Sequence, residues 1–495
     1  MDSLIGIDVG TSSVKVVAVD VHGKILREAQ KSYSLAHPIA GWAEVDPQQW
    51  WSQTDTALRG LIQELSDDYH SLRVLGVGLT GQMHSLVLID GEGNVVRPAI
   101  TWLDTRARSV MSLVTETLSR AGMLERIKNN PAPGLTIAIL AWLVVHEPES
   151  ISRAQTMLLA KDYIRFRLTG EIASDYTDAS STLLFDVEER NWFFDAAKLI
   201  GVPTRLFPPL RETWEPGEPI RAEVIGLPKS HHDVPLATGC SDQQAAALAN
   251  GVIAPGTMQL MLGTGAQVVA PVDSTAVDSI SMLNFFAHHR NWIVQGSVQN
   301  AGSSLAWGMK VLGANWSDVS DAVSEPIHRN APFFLPYLSG ERTPIMDPNA
   351  TGGWLGLRNS VDRSDLIRSC LEGVVFGIAD AVEAVIDALK LDETVDLRVS
   401  GGGIKLLPYV QMISDALNRT LTVLPEANTT GIGAAILGGM GAQIFTTLEE
   451  GNAVLGTRAD GVVVPNKTSY DMLTERRAKL KPLRDSYLDS SGGLF

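Results

Sequence analysis

The stretch "GCSDQQ", residues 239–244, sets a lone carboxylate, Asp242, between the apolar run "VPLA" and the alanine-rich "AAALANGV". An aspartate in that place has two uses. It can cap a helix, because its side chain accepts from orphan backbone N–H groups. It can also serve as a catalytic group, such as a general acid or base. Three glycine-bearing turns bear on the choice: Gly10, Thr11 and Ser12 in "DVGTSS", Gly263 and Thr264 in "LGTGA", and Gly402 and Gly403 in "SGGGIK". Glycine lets backbone N–H groups come close to phosphate oxygens, and threonine or serine hydroxyls add donors. Each turn alone is ordinary chain punctuation. Together, with Asp8 placed to hold a hydrated Mg²⁺ just ahead of the first, they suit a triphosphate.

Other nucleotide motifs fail. "GVGLTG", 76–81, has the glycine spacing of a dinucleotide fingerprint, but the apolar run and hairpin signal "QMHSLVLIDGEGN" follow where a helix is required. No P-loop spacing occurs.

The elements that must carry these turns are mixed. The opening "LIGIDVGTSSVKVVAVDVHGKILREAQ" predicts three strands in an antiparallel meander, and "MQLMLGTGAQVVAPV", 258–272, repeats strand, Gly-Thr turn, strand. The repetition suggests two halves built alike. Helical periodicity marks "ALRGLIQEL", "LIRSCLEGVVFGIADAVEAVIDAL" and "PYVQMISDAL", so the class is α/β. "LTIAILAWLVV", 135–145, is too short to span a bilayer and predicts a buried helix. Residues 186–236 lack periodicity and suit a connection, which sets two domains at 1–236 and 237–495 with a cleft expected between them.

Forty Lys plus Arg against 56 Asp plus Glu leave a net charge of −16 with no basic patch, which disfavours a nucleic-acid partner. The two cysteines, Cys240 and Cys370, have no metal-ligand spacing, and the N-terminus lacks a signal pattern. The expectation is a cytoplasmic protein with no membrane partner.

Several long stretches are familiar in order: "GIDVGTSSVK", "GWAEVDPQQWW", "GQMHSLVLID", "LLAKDYIRFRLTGEIASDYTDAS", "FLPYLSGERTP" and "SGGGIKLLPYVQMISDAL". With "GGWLGLRNSVDRSDLIRSCLEG", 352–373, they resemble the FGGY carbohydrate kinases, most closely the branch that acts on D-xylulose, over nearly the whole chain to about residue 440. The resemblance implies two ribonuclease-H-like domains of the actin, Hsp70 and hexokinase type flanking a deep cleft. It implies ATP and Mg²⁺ as cofactors, a sugar as substrate and a possible homodimer. Carried over by motif, Asp242 would be the catalytic base and Asp8 would assist Mg²⁺. Gly10, Thr11, Ser12, Gly263 and Thr264 would face the phosphates, and Gly402 and Gly403 the adenosine. Gln82, Met83, His84, Trp102 and Gln243 would meet the sugar. An aspartate at a helix start would be kept ionised by the helix dipole.

Three positions depart from the pattern. Gln243 stands where an asparagine is common, Leu103 in "TWLDTR" where another asparagine is common, and Ile139 where a lysine precedes the signature tryptophan, here Trp142. Another ketose such as D-ribulose, a polyol or gluconate therefore stays open as substrate. A non-catalytic actin-like nucleotide switch would keep the turns but leave "GQMH" and Asp242 without work.

Overall fold

In the computed structural model, residues 1–277, 282–324, 331–425 and 428–491 are described. The chain divides into two units. The first holds Met1–Ile253, Phe286–Trp292 and Asn428–Thr457, and the second holds Ala254–Phe285, Ile293–Ala427 and Arg458–Phe495. The first crossing therefore lies beyond the expected 236/237 boundary, and Asp242 belongs to the first unit. The reason is strand pairing: the residues just before Asp242 join the first unit's sheet.

That sheet is made of β1 (Asp2–Val9), β2 (Ser13–Asp20), β3 (Ile25–Ser32), β4 (Arg73–Gly81) and β5 (Cys240–Ser241), in the order β5-β4-β1-β2-β3. The meander β1-β2-β3 is antiparallel, while β4 runs parallel to β1 and β5 parallel to β4. β1, β2 and β4 read as largely continuous apolar runs because both of their faces are covered, while β3, at the sheet edge, is polar and mostly exposed. Ile5, Ile7, Val9, Val14 and Val16 pack with Trp50, Leu58, Leu61 and Tyr163 in one core cluster. Those partners lie on α1 (Pro47–Asp68) and α2 (Ala160–Thr169). The alternate residues Leu4, Val17 and Val19 pack with Ala245, Ile432 and Ala435 in the other cluster. The two-residue period of a strand sorts them. α1 starts cleanly, with the Asp46 side chain accepting from the Gln48 N–H and Pro47 in the first turn.

Further along come α3 (Tyr176–Ser181), α4 (Asp242–Ala249) and α5 (Thr429–Gly441), the last returning to the first unit. α5, "TTGIGAAILGGMG", lies so close to the sheet that a methyl group on Gly6 would strike the Gly431 carbonyl, and one on Gly78 the Ala434 carbonyl. Small residues on both sides let backbone meet backbone.

The second unit repeats the hairpin. β6 (Thr257–Leu262) and β7 (Ala266–Val272) are antiparallel. The remaining strands are β8 (Asn284–Ala287), β9 (Trp292–Val298), β10 (Asp396–Ser400), β11 (Leu421–Val423) and β12 (Gly461–Val463). The sheet order is β8-β9-β7-β6-β10-β11-β12. β10 runs parallel to β6 as β4 does to β1, so hairpin plus parallel neighbour occurs twice. The predicted helix after residue 135 forms as Thr136–His146, with Ile139 fully buried. Among the described residues no helix is long and apolar enough to cross a membrane.

Candidate active site

β1 ends in the first Gly-Thr turn and carries Asp8 almost to its tip. The turn is closed by Gly10 N–H on the Ser13 carbonyl at 3.1 Å. The Gly10 carbonyl accepts from Tyr33 Oη and from Gln82 Nε2, the latter at 3.2 Å. Gln82 also donates to Tyr33 Oη at 3.2 Å and accepts from Ser85 Oγ at 3.0 Å, so its amide braces the turn from within. Thr11 Oγ1 accepts from Trp102 Nε1 at 3.0 Å, and Ser12 is exposed.

Asp8 is buried. Its Oδ2 accepts from Thr430 Oγ1 at 2.7 Å, and its Oδ1 has no hydrogen-bond partner. Burial raises its carboxyl above the usual range, against the Thr430 hydrogen bond and the charge of Lys15. A buried carboxylate oxygen left without a donor fits a site that takes a cation. Thr430 gave no sequence signal of its own beyond the small-residue run it opens.

Asp242 is the first residue of α4, and the cap is Ser241. The capping role weighed for Asp242 thus falls to its neighbour, whose hydroxyl is taken up by the Gln244 side chain rather than by the helix. Gly239, at φ +93, brings the chain in close beside Leu79 before β5. Asp242 keeps a partly exposed edge, yet burial, and then the charge of Asp8, push its carboxyl up to about 7. The backbone N–H groups of Asp242 and Gln243 oppose that rise without cancelling it. The expectation that the helix dipole alone keeps this group ionised is therefore corrected: desolvation is the larger effect.

Past β4 the chain turns through Met83, buried, and His84, half-buried in the left-handed region at φ 65. The His84 carbonyl accepts from Thr136 Oγ1 at 3.2 Å. A non-glycine residue held there is strained, as at many functional sites. Trp102 is exposed, while Asp104 and Arg106 form a buried pair, Nη2 to Oδ2 at 2.8 Å. Gln243 is half-buried next to Asp242.

Sequence reasoning missed a buried ionic cluster beneath β5. Lys161 Nζ lies 2.5 Å from Asp162, 2.7 Å from Asp175 and 3.1 Å from Asp178. Burial would neutralise the lysine, but the three carboxylates outweigh it and hold its ammonium well above the ordinary range. Burial in turn raises Asp178 well above the usual carboxylate range. The three carboxylates are spaced as a metal site could be, but the lysine ammonium already supplies their cation. "KDY" and "SDYTDAS" were the available signal.

In the second unit, the other Gly-Thr turn is clamped by helix Gly302–Val311. Gly302 N–H donates to the Gly263 carbonyl at 3.1 Å and Ser303 N–H to the Thr264 carbonyl at 2.9 Å. Gly263, Thr264, Gly402 and Gly403 line one cavity of about 690 Å³ with Trp316 and Tyr409. Gly401, at φ +90, makes the tight turn out of β10 that brings this glycine pair there. The volume and the apolar walls suit a drug-sized ligand such as a nucleoside.

A twice-used hairpin beside a parallel strand, in two domains each built on a mixed sheet, defines an actin-like α/β phosphotransferase fold. The chain belongs to the FGGY family of carbohydrate kinases, whose N-terminal domain matches residues 3–249 and whose C-terminal domain matches 258–442. It is an enzyme, a kinase of a family that uses ATP. It is 32% identical to the xylulose kinase of Bacillus subtilis (strain 168), over 91% of this chain and 90% of that protein. The crystal structure of xylulose kinase from Rhodospirillum rubrum superposes with a TM-score of 0.90 at 26% identity, covering 99% of this chain and 100% of that one. Gluconate kinase from Lactobacillus acidophilus has the same fold, with a TM-score of 0.91 at 24% identity, covering 100% of both chains.

Proposed function

We propose that this protein is a cytoplasmic kinase that transfers the γ-phosphoryl group of ATP to the terminal hydroxyl of D-xylulose, giving D-xylulose 5-phosphate and ADP. The observation that carries the mechanism is Asp242: a carboxyl at the first turn of a helix, pushed up to about 7, in a part-open position. A base with that proton affinity accepts the hydroxyl proton as the phosphoryl group leaves ATP. Asp8, with one oxygen free of donors, would hold Mg²⁺. When bound, that ion would neutralise charge on the phosphates. Gly10, Thr11 and Ser12 on one turn and Gly263 and Thr264 on the other would supply donors to the phosphates. The cavity with Gly402, Gly403 and Trp316 would take the adenosine.

Met83, His84, Trp102 and Gln243 would contact the sugar. Gln82 is buried and holds the turn, so it would act on the sugar through its neighbours. The xylulose kinases among its relatives support D-xylulose as substrate. Another ketose, a polyol or an aldonate such as gluconate is the second reading: Gln243, Leu103 and Ile139 depart from the pattern that the resemblance leads one to expect, and the chain shares its fold with a gluconate kinase.

A coupled ADP-release assay across D-xylulose, D-ribulose, D-xylose, xylitol, glycerol and gluconate tests the proposal. D-xylulose gives the highest kcat/KM, because a site that hydrogen-bonds a particular hydroxyl rejects its absence or inversion strongly. Gluconate or another ketose leading the panel would keep the kinase and change the substrate.

A further inference from the structure

β5 is two residues long and forms an edge of its sheet. Among the described residues it pairs only with β4, Cys240 beside Thr80 and Ser241 beside Gly81. A buried N–H on the outer side of such a strand must find a partner other than a ladder. At Ser241 it finds Thr177 Oγ1, at 2.9 Å. The Thr177 hydroxyl can accept there only if its own proton points elsewhere, and it donates to Asp175 Oδ1 at 2.5 Å. That oxygen also accepts the Thr177 N–H at 2.7 Å, so it serves as an acceptor throughout. The second Asp175 oxygen faces Lys161 Nζ at 2.7 Å. Lys161, Asp175, Thr177 and Ser241 are all buried, and their chain of contacts ends on the backbone one residue before Asp242.

We propose that Thr177 is a positioning residue for phosphoryl transfer, with its hydroxyl, oriented by Asp175 and Lys161, fixing the Ser241 backbone and so the place of the Asp242 carboxylate. This rests on Asp242 being the base. The Thr177 hydroxyl is engaged by Asp175 and the Ser241 backbone, so its loss acts on the chemical step. A reacting group misplaced by a fraction of its working distance can cost about a hundredfold.

The test compares Thr177→Val, which keeps the shape and removes the hydroxyl, with Thr177→Ser, which keeps the hydroxyl. Asp242→Asn is measured in the same assay on the full-length enzyme. Thr177→Val lowers kcat by about ten- to a hundredfold with KM for ATP and sugar held, and Thr177→Ser restores most of the rate. A Thr177→Val enzyme with wild-type kcat, or a Thr177→Ser enzyme as slow as the valine variant, overturns the proposal. If Asp242→Asn stays active, the base reading itself fails. If it is inactive while Thr177→Val is normal, only the role of Thr177 fails. Should the valine variant not fold, amide exchange at Ser241 in the wild-type protein decides. Slow exchange supports the clamp, and exchange at the rate of an exposed loop removes it.

Discussion

Thr430 Oγ1 donates to Asp8 Oδ2 at 2.7 Å although the two residues are 422 positions apart in the chain. The contact exists because α5 lies against β1 through Gly6 and Gly431, which sets Thr430 over the end of that strand. It leaves the other Asp8 oxygen free for a cation. Thr430→Val keeps the side-chain shape but removes a donor to a buried carboxylate, an interaction worth about 1.5–3 kcal/mol. The half-saturating Mg²⁺ concentration for sugar phosphorylation is expected to rise by about tenfold or more. A magnesium titration that matches wild type would show that Thr430 does not support a metal ligand.

Asp242→Asn should abolish sugar phosphorylation while ATP still binds, since the nucleotide contacts proposed above are at the glycine turns and the cavity rather than at Asp242. Loss of a general base lowers the rate by ~10²–10⁴. In the wild type, a base pushed up to about 7 must be ionised to work, so kcat/KM for the sugar declines as pH falls below that value. A profile flat from neutral to mildly acid pH would remove Asp242 as the titrating group.

Two glycines in the first unit should respond oppositely to alanine. Gly6→Ala drives a methyl group into the Gly431 carbonyl and costs about 1–3 kcal/mol, read as a lower unfolding midpoint. Gly60, within α1, has open space where its Cβ would be, and Gly60→Ala gains about 0.5–1 kcal/mol from helix propensity. Equal effects at both sites would mean that the close approach of α5 to β1 is not what Gly6 serves.

Acid should destabilise the first unit through two neighbouring histidines. His289 Nδ1 meets Thr213 Oγ1 at 2.8 Å and His288 Nε2 meets the Val252 carbonyl at 3.1 Å. Burial lowers His289 to about 4 and holds His288 well below its ordinary range. The unfolded chain takes up protons below about pH 6.5 that the folded His289 refuses until about 4, so stability falls as pH drops through that window. His289 alone contributes a loss of about 3 kcal/mol by the lower end. Denaturant midpoints measured between pH 7 and 4.5 should show the decline, and His289→Gln should flatten it. A slope unchanged in that variant would assign the acid sensitivity elsewhere.

The sequence by itself determined the features that depend on near neighbours. Strand, Gly-Thr turn and strand follow from apolar runs broken by glycine, and both hairpins form where those runs lie, β1-β2 and β6-β7. "GVGLTG" ends a strand rather than opening a helix, as the apolar residues after it required. The order of long motifs was enough to indicate an FGGY carbohydrate kinase. Tertiary structure alone decided which distant segments complete the site. "TTGIGAAILGGMG" shows no helical stripe, because a helix pressed against a sheet by glycines is small and apolar on every side, and its return to the first unit was invisible. Thr430 on Asp8 and Thr177 on Ser241 are likewise contacts across large sequence separations. The proton affinity of Asp242 belongs with them. A helix start favours the ionised carboxylate locally, but burial and the charge of Asp8 act through space, and only the folded chain sets their strength.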